Sequence, residues 1–151
     1  MLDGSRSRSL AAMELRILAV GKLKHAGLEG LVADYCKRSR AQLPISLEHV
    51  RDLEALRARL GRPRVILDER GEQITTATLA AWIGEWRDRG VRRVDFAIGD
   101  AHGFGDEDRK LADKQLALSQ LTLPHRLAQL LLVEQLYRAG TILAGHPYHH
   151  Q

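Results

Sequence analysis

The tail of the chain, HPYHH, and the apolar segment before it carry rings and charges that could do chemistry. Tyr148 offers a flat ring that can stack on a base, and His149 offers an imidazole that can act as a base. His125 and Arg138 lie upstream in the apolar segment. Because Arg138 follows Glu134 by four residues, it could form a helical ion pair or contact a substrate. These residues are candidates for proton transfer at a ring.

Metal binding is a second possibility for the tail, because His146, His149 and His150 fall within five residues. No carboxylate lies close to them in the sequence, and three-histidine sites usually draw on separated elements. The single cysteine, Cys36, excludes an internal disulfide and a cysteine-rich zinc site. No G-x-S-x-G, HExxH or CxxC is present. We expect no metal.

A glycine loop, IGDAHGFG at residues 98–105, follows an apolar run and could hold a ligand by its backbone. Gly99, Gly103 and Gly105 have the spacing G-x-x-x-G-x-G, whereas dinucleotide-binding turns require G-x-G-x-x-G. A P-loop would end in Gly-Lys-Ser/Thr, but two acidic residues follow Gly105. The loop therefore lacks both common nucleotide signatures.

A leucine loop, SQLTLPH at residues 119–125, has no charged side chain before His125, and Pro124 suits the first turn of a helix. It presents backbone N–H and C=O groups between leucines. That arrangement suits a flat heterocycle such as adenine better than a triphosphate. A plain connection from a strand to a helix is an equally good interpretation of its composition.

Length and composition limit the class of protein. The 151 residues, 44% of them hydrophobic, suffice for one domain, which we place at 13–151. Residues 1–12 are polar and aperiodic, so we expect a disordered or non-native extension. No apolar stretch approaches the ~20 residues of a membrane span or resembles a secretion signal. The net charge of +4 is compatible with nucleic acid but is weak evidence alone. We expect a cytoplasmic protein.

Strand and helix patterns alternate along the chain, which predicts an α/β fold with a mostly parallel sheet and helices on both faces. Ligands of such folds bind beyond the carboxyl ends of the strands. That rule selects the LDERG segment (67–71), the glycine loop and the leucine loop. The last helix is apolar on nearly every side, so it is central to the core or part of a subunit interface. We expect strands at 14–20, 45–50, 65–69, 94–98 and 116–119, and helices at 28–40, 53–60, 76–89, 106–113 and 125–144.

The motifs LAVGK, LDERG, FAIG-x-x-x-G, LSQLTLPHRL, LVEQLYRA and HPYHH, in this order and spacing, resemble those of the RlmH (YbeA) family. These are SPOUT-superfamily methyltransferases that act on a pseudouridine of large-subunit ribosomal RNA. The resemblance extends from Met13 to the C-terminus. Its specific part is the C-terminal set of motifs, and the earlier motifs are weak by themselves.

The resemblance implies a SPOUT-type sandwich whose C-terminal segment passes through a loop as a trefoil knot, and it implies a homodimer. It also implies that the three selected segments bind S-adenosylmethionine in a bent shape, with adenine against the backbone. The implied cofactor positions are Leu67, Asp68, Gly99, Asp100, Gly103, Ser119, Gln120, Leu121, Thr122, Leu123 and Pro124.

The reaction implied is methyl transfer to N3 of a pseudouridine in 23S ribosomal RNA, on the assembled ribosome. A sulfonium methyl needs little activation, so catalysis is mainly positioning. The ring nitrogen carries a weakly acidic proton, so a base or a cation that stabilises the anion would help. We expect His149 or His125 near the base, Tyr148 against the ring, and Arg138 on a phosphate or the developing anion.

Asp100 departs from the family pattern, in which a second glycine follows Gly99. Aspartate tolerates unusual backbone angles better than most residues, so the turn can survive. Its carboxylate could favour the sulfonium or amino group of the cofactor, or hinder the cofactor's carboxylate end. An alternative hypothesis is therefore a ribosome-binding protein of the same fold with weakened or lost catalysis.

Overall fold

A computed structural model of the protein describes residues 13–150, with side chains described for 13–149. The expected extension at residues 1–12 lies outside the described residues. Within them, strands and helices alternate as the sequence patterns predict. The elements are β1 (Glu14–Val20), α1 (Ala26–Ser39), β2 (Ile45–Val50), α2 (Leu53–Arg59), β3 (Arg64–Glu72), α3 (Thr76–Asp88), β4 (Arg93–Ile98), α4 (Asp106–Leu111), β5 (Lys114–Leu116), α5 (His125–Leu143) and a terminal 3-10 helix (Pro147–His150).

The sheet has the strand order β2-β1-β4-β3-β5, and each pairing is parallel. β1 is an interior strand, so that Ile17 pairs with Leu47 on one side and with Phe96 on the other. Its six residues after Glu14 are buried, as parallel strands covered on both faces require. The predicted α/β architecture with a parallel sheet is confirmed.

Helices cover both faces of this sheet. The larger core packs Ile17 and Phe96 against α1, α3 and α5. The smaller core, on the opposite face, packs Leu18 and Ala97 against Leu56 of α2. Because neighbouring strand residues point to opposite faces, β1 and β4 supply side chains to both cores.

The long helix α5 packs against α1 and α3. It buries Leu132 and Leu136 completely, whereas Leu127 and Leu131 remain 41% and 40% exposed. The helix is therefore a core element that also presents an apolar stripe on its outside.

Local capping explains where the helices begin. The Nδ1 atom of His25 accepts a hydrogen bond from the N–H of Leu28 at 3.2 Å, so α1 begins at Ala26, two residues before the predicted start. The carboxylate of Asp52 accepts from the N–H of Ala55 at 2.8 Å and caps α2 as predicted.

The predicted fifth strand is present, but it covers Lys114–Leu116 and not 116–119. β3 is longer than predicted and continues through the LDERG segment to Glu72. Its pairing with β5 has an irregular register between Leu67 and Glu72. A Cβ at Gly71 would lie only 2.6 Å from the backbone carbon of Gln115, so glycine allows the two strands to approach. The N–H of Ala117 donates to Glu72 at 2.9 Å, and beyond it the chain leaves the sheet.

Candidate active site

The LDERG segment, the glycine loop and the leucine loop meet around a cavity of about 530 Å³. It lies beyond the carboxyl ends of β3, β4 and β5, as expected for a parallel α/β sheet. Its size falls in the range of small-molecule sites. Nine of the eleven predicted cofactor positions line it, namely Leu67, Asp68, Gly99, Asp100, Gly103, Ser119, Leu121, Thr122 and Leu123. Gln120 and Pro124 belong to the leucine loop but are not among the lining residues.

Tight turns build the glycine loop. The side chain of Asp100 accepts a hydrogen bond from the N–H of His102 at 3.0 Å, and its C=O accepts from the N–H of Gly103, also at 3.0 Å. Gly103 has a φ of +73°, which favours glycine. A Cβ at Gly99 would lie 3.3 Å from the ring of Phe104. Asp100 therefore stabilises the turn by its own side chain without a positive φ.

Arg109 joins two walls of the cavity, although no sequence pattern predicted it. Its Nε donates to Asp68 at 2.6 Å, and its Nη2 donates to the C=O of Phe104 at 2.8 Å. The bond to Asp68 is the main cause that raises the pKa of Arg109. Asp68 lies 41 residues away in the sequence, so its contact with Arg109 has no local signal. The local pattern around Arg109 indicates only an i,i+3 ion pair with Asp106.

His125 is the predicted catalytic residue that lines this cavity. It begins α5, and its Nε2 atom is buried without a hydrogen-bond partner among the described residues. Buried polar atoms in folded proteins normally have partners. An unpartnered ring nitrogen at the cavity wall is therefore a group that a ligand could satisfy.

Arg138, Tyr148 and His149 do not line the cavity; they form a terminal cluster with Glu134 and Tyr35. Glu134 Oε2 accepts from Arg138 Nη2 at 2.9 Å and from the Tyr148 hydroxyl at 2.8 Å. Arg138 Nη1 lies 3.5 Å from His149 Nδ1. The ion pair predicted from the i,i+4 spacing exists, and it connects α5 to the tail.

Aromatic packing holds Tyr148 in this terminal cluster. Its ring meets the ring of Tyr137 edge-on, with centroids 4.8 Å apart, and its hydroxyl lies 3.4 Å from that of Tyr35. Burial, together with hydrogen bonds to Tyr35 and Glu134, raises the pKa of Tyr148 far above its usual value. The phenol is therefore a stable neutral donor.

Arg38 is a second residue that no sequence pattern predicted. Its guanidinium carbon lies 5.4, 4.9 and 5.4 Å from the ring centroids of Tyr35, Tyr137 and Tyr148. Distances below about 6 Å are typical of cation–π contacts. Arg38 therefore ties α1 to the terminal cluster.

Among residues 13–149, no group of three histidine, cysteine, aspartate or glutamate side chains is placed to hold a metal ion. Within the described part of the chain, no helix combines the length and apolar character that a bilayer crossing demands.

The fold, a parallel sheet with helices on both faces, belongs to the α/β class. A crystal structure of a probable methyltransferase from Bordetella pertussis Tohama I matches with a TM-score of 0.57 at 14% identity, covering 88% of this chain and 98% of that one. The family model described as predicted SPOUT methyltransferase matches residues 13–149, and this chain belongs to that family. The resemblance drawn from the sequence motifs is confirmed.

Sequence relatives agree with this assignment. The protein named ribosomal RNA large subunit methyltransferase H of Geobacter metallireducens is 41% identical, covering 91% of this chain and 99% of its own. The protein of the same name from Koribacter versatilis is 40% identical, covering 91% of this chain and 98% of its own.

Proposed function

We propose that this chain is an S-adenosylmethionine-dependent methyltransferase that methylates N3 of a pseudouridine in large-subunit ribosomal RNA, on the assembled ribosome. The observation that carries the proposal is the meeting of three family motifs around one cavity of about 530 Å³. The names of the relatives support large-subunit ribosomal RNA as the substrate.

The cavity residues fit this methyl donor. Leu67 and Leu123 supply apolar surface for the faces of adenine, and the leucine loop supplies backbone groups for its edge. Arg70 offers positive charge toward a carboxylate. The unpartnered Nε2 of His125 adds a polar atom that a ligand could satisfy. When bound, the donor supplies an electrophilic methyl group on a sulfonium.

The residues of the chain then have two tasks. The first is to hold the target nitrogen in line with the methyl group, which is the larger part of catalysis for an activated donor. The second is to accept the proton from N3, for which His125 or His149 is suited, and to stabilise the developing anion, for which Arg138 is suited. Tyr148 would border the target ring.

We further propose a homodimer, a C-terminal trefoil knot and a cytoplasmic location. Exposed leucines on the packed helices α1 and α5 support the dimer, since Leu31 is 49%, Leu127 41% and Leu131 40% exposed. Apolar patches of this kind often mark interaction surfaces. The family membership supports the knot. The proposed substrate, ribosomal RNA, supports the cytoplasmic location.

The deciding experiment is mass spectrometry of ribosomal RNA from a strain that lacks the gene, with and without a complementing copy. We expect one methyl mark on a large-subunit pseudouridine to disappear and to return on complementation. An unchanged modification pattern in the deletion strain would overturn the proposed function.

Loss of the Arg109 link should weaken donor binding. In Arg109→Gln, the LDERG segment and the glycine loop lose their shared cation, and we expect the Kd for S-adenosylmethionine to rise about tenfold, the effect of losing roughly 1.4 kcal/mol. Isothermal titration calorimetry measures it. The matched control is Arg89→Gln, which removes a paired arginine from Glu85 on α3, outside the cavity lining. Equal affinities in the two variants would contradict the role of Arg109.

The alternative of an inactive ribosome-binding protein depends on Asp100. The hydrogen bonds of Asp100 argue against a strong effect of this residue on donor affinity. Because its carboxylate already accepts from His102 and supports the turn, we expect Asp100→Gly to change donor affinity by less than about threefold, as is usual for substitutions outside buried networks. Calorimetry on both proteins checks this. A tenfold gain in the variant would favour the alternative.

A further inference from the structure

The chain segments that follow β1 and β2 carry a set of exposed cations that the proposed reaction does not use. β1 ends at Val20 and β2 at Val50, and these residues are register partners. The N–H of Gly21 donates to the C=O of Val50 at 2.9 Å, so the chain segments that follow both strands are held together. We call Lys22, Lys24 and Arg51 the edge cations, because all three lie in these segments.

The edge cations are available for a partner. All three residues are exposed, and among the described residues Lys22 and Lys24 form no ion pair. Arg51 pairs only with its neighbour Asp52, at 3.2 Å, and its side chain is 86% exposed. Asp52 also accepts from Ala55 as the cap of α2, so its charge is shared with a helix end.

Lys24 has an unusual backbone. Its φ is +47°, and it is the non-glycine residue with a positive φ within the described part of the chain. Such conformations cost energy in non-glycine residues and cluster at functional sites. Apart from Asp52, the nearest acidic residues in the sequence are Glu29 in the first turn of α1, Glu54 in that of α2, and Glu48 in β2. Glu48 pairs with Arg59.

The edge cations lie beside the cavity. β1 is the neighbour of β4, and Ala19 pairs with Ile98, the first residue of the glycine loop. Adjacent strands are about 5 Å apart, so the segments after β1 and β2 lie about one and two strand spacings from the cavity wall that β4 supplies. A nucleic-acid strand whose base enters the cavity can extend its backbone over this edge.

We infer that Lys22, Lys24 and Arg51 bind backbone phosphates of the substrate RNA and set its register, so that the target nucleotide reaches the cavity. The inference rests on the proposed function and names the surface through which the substrate is held. Phosphate contacts of this kind position a nucleic acid without reading its sequence. Each contact releases counterions, so the contribution must depend on salt.

The test compares two triple variants by fluorescence anisotropy with a labelled 20-nucleotide RNA hairpin over a series of KCl concentrations. The first is Lys22→Gln/Lys24→Gln/Arg51→Gln. The control, Lys37→Gln/Arg40→Gln/Arg92→Gln, removes the same charge from exposed positions at the opposite end of the sheet. Calorimetry with S-adenosylmethionine shows that each variant retains a folded donor site.

For the edge variant we expect the slope of log Kd against log salt to fall by about 2 to 3, since each lost phosphate contact removes about 0.7 to 0.9. We expect the control to keep the wild-type slope. Equal slopes in the two variants, whether both fall or neither does, would overturn the inference. The proposed function is tested separately, by an assay of methyl transfer. A difference in slope without methyl transfer would overturn the proposed function but not the phosphate contacts.

Discussion

An Asp95→Ala variant should have a free energy of unfolding about 3–5 kcal/mol below that of the wild type, the usual cost of breaking a buried ion pair from one side. The Asp95 side chain is 1% exposed, and it accepts from Arg16 Nη2 at 2.7 Å and Nε at 3.0 Å. Without it, the Arg16 side chain, 11% exposed, keeps a charge with little water around it. Urea denaturation monitored by circular dichroism measures the change.

The pair also matters for the site, because it connects strands that lead to it. Asp95 belongs to β4, which leads into the glycine loop, and it accepts from the N–H of Gly61 at 2.7 Å at the entry to β3. Arg16 donates in turn to the C=O of Arg59 at 3.0 Å. Two of the strands whose ends form the cavity are thus tied to β1 through one buried carboxylate.

Two controls separate the buried pair from a general effect of charge. Glu85→Ala breaks an exposed i,i+4 pair with Arg89 and should cost no more than about 0.5 kcal/mol. The double variant Arg16→Met/Asp95→Leu should recover most of the stability lost in Asp95→Ala, because apolar replacements often substitute for a buried pair. A cost in Asp95→Ala as small as that of Glu85→Ala would show that the pair does not hold the strands.

Much of the fold was predictable because it follows from local patterns. The apolar runs that became β1 and β4 and the caps such as Asp52 depend on neighbours in sequence. The meeting of the three segments at one cavity followed from a single topological rule, since parallel strands bring their carboxyl ends to one edge.

The rest depended on contacts that no local pattern contains. The run LALS at 116–119 is apolar enough for a strand, but β3 continues through Gly71 and takes the pairing at Lys114–Leu116 instead. Arg16 and Asp95 are 79 residues apart in sequence, and each is a charged residue between apolar neighbours in its strand. An argument from periodicity assigns such positions to the solvent side, whereas here the two buried side chains form an ion pair with each other.

Arg138→Ala should lower the rate of methyl transfer about 100-fold or more while leaving the affinity for S-adenosylmethionine unchanged. The rate loss follows from removing a cation expected at the developing anion, an effect that typically costs 10²–10³-fold. The affinity is unaffected because Arg138 does not line the cavity. Single-turnover assays on ribosomal RNA and calorimetry with the methyl donor measure the two quantities.

Conservative variants distinguish a catalytic role for Arg138 from a structural one. Arg138→Lys keeps the charge but loses one arm of the link between Glu134 and His149, so we expect an intermediate rate. His149→Ala should also slow the reaction, whereas Tyr35→Phe removes only a 3.4 Å contact to Tyr148 and should stay within about threefold of the wild type. Wild-type turnover in both alanine variants would remove the terminal cluster from the reaction.

The pH dependence gives an independent test of the same terminal cluster. Because burial and its hydrogen bonds raise the pKa of Tyr148, the phenol remains protonated in the folded protein well above pH 10 and continues to donate to Glu134. If a histidine accepts the proton from N3, the rate should rise as pH increases through the neutral range, because the imidazole must be neutral to act as a base. If His149 accepts the proton, the rise disappears in His149→Ala and persists in His125→Ala; the reverse result would place the base at the cavity wall.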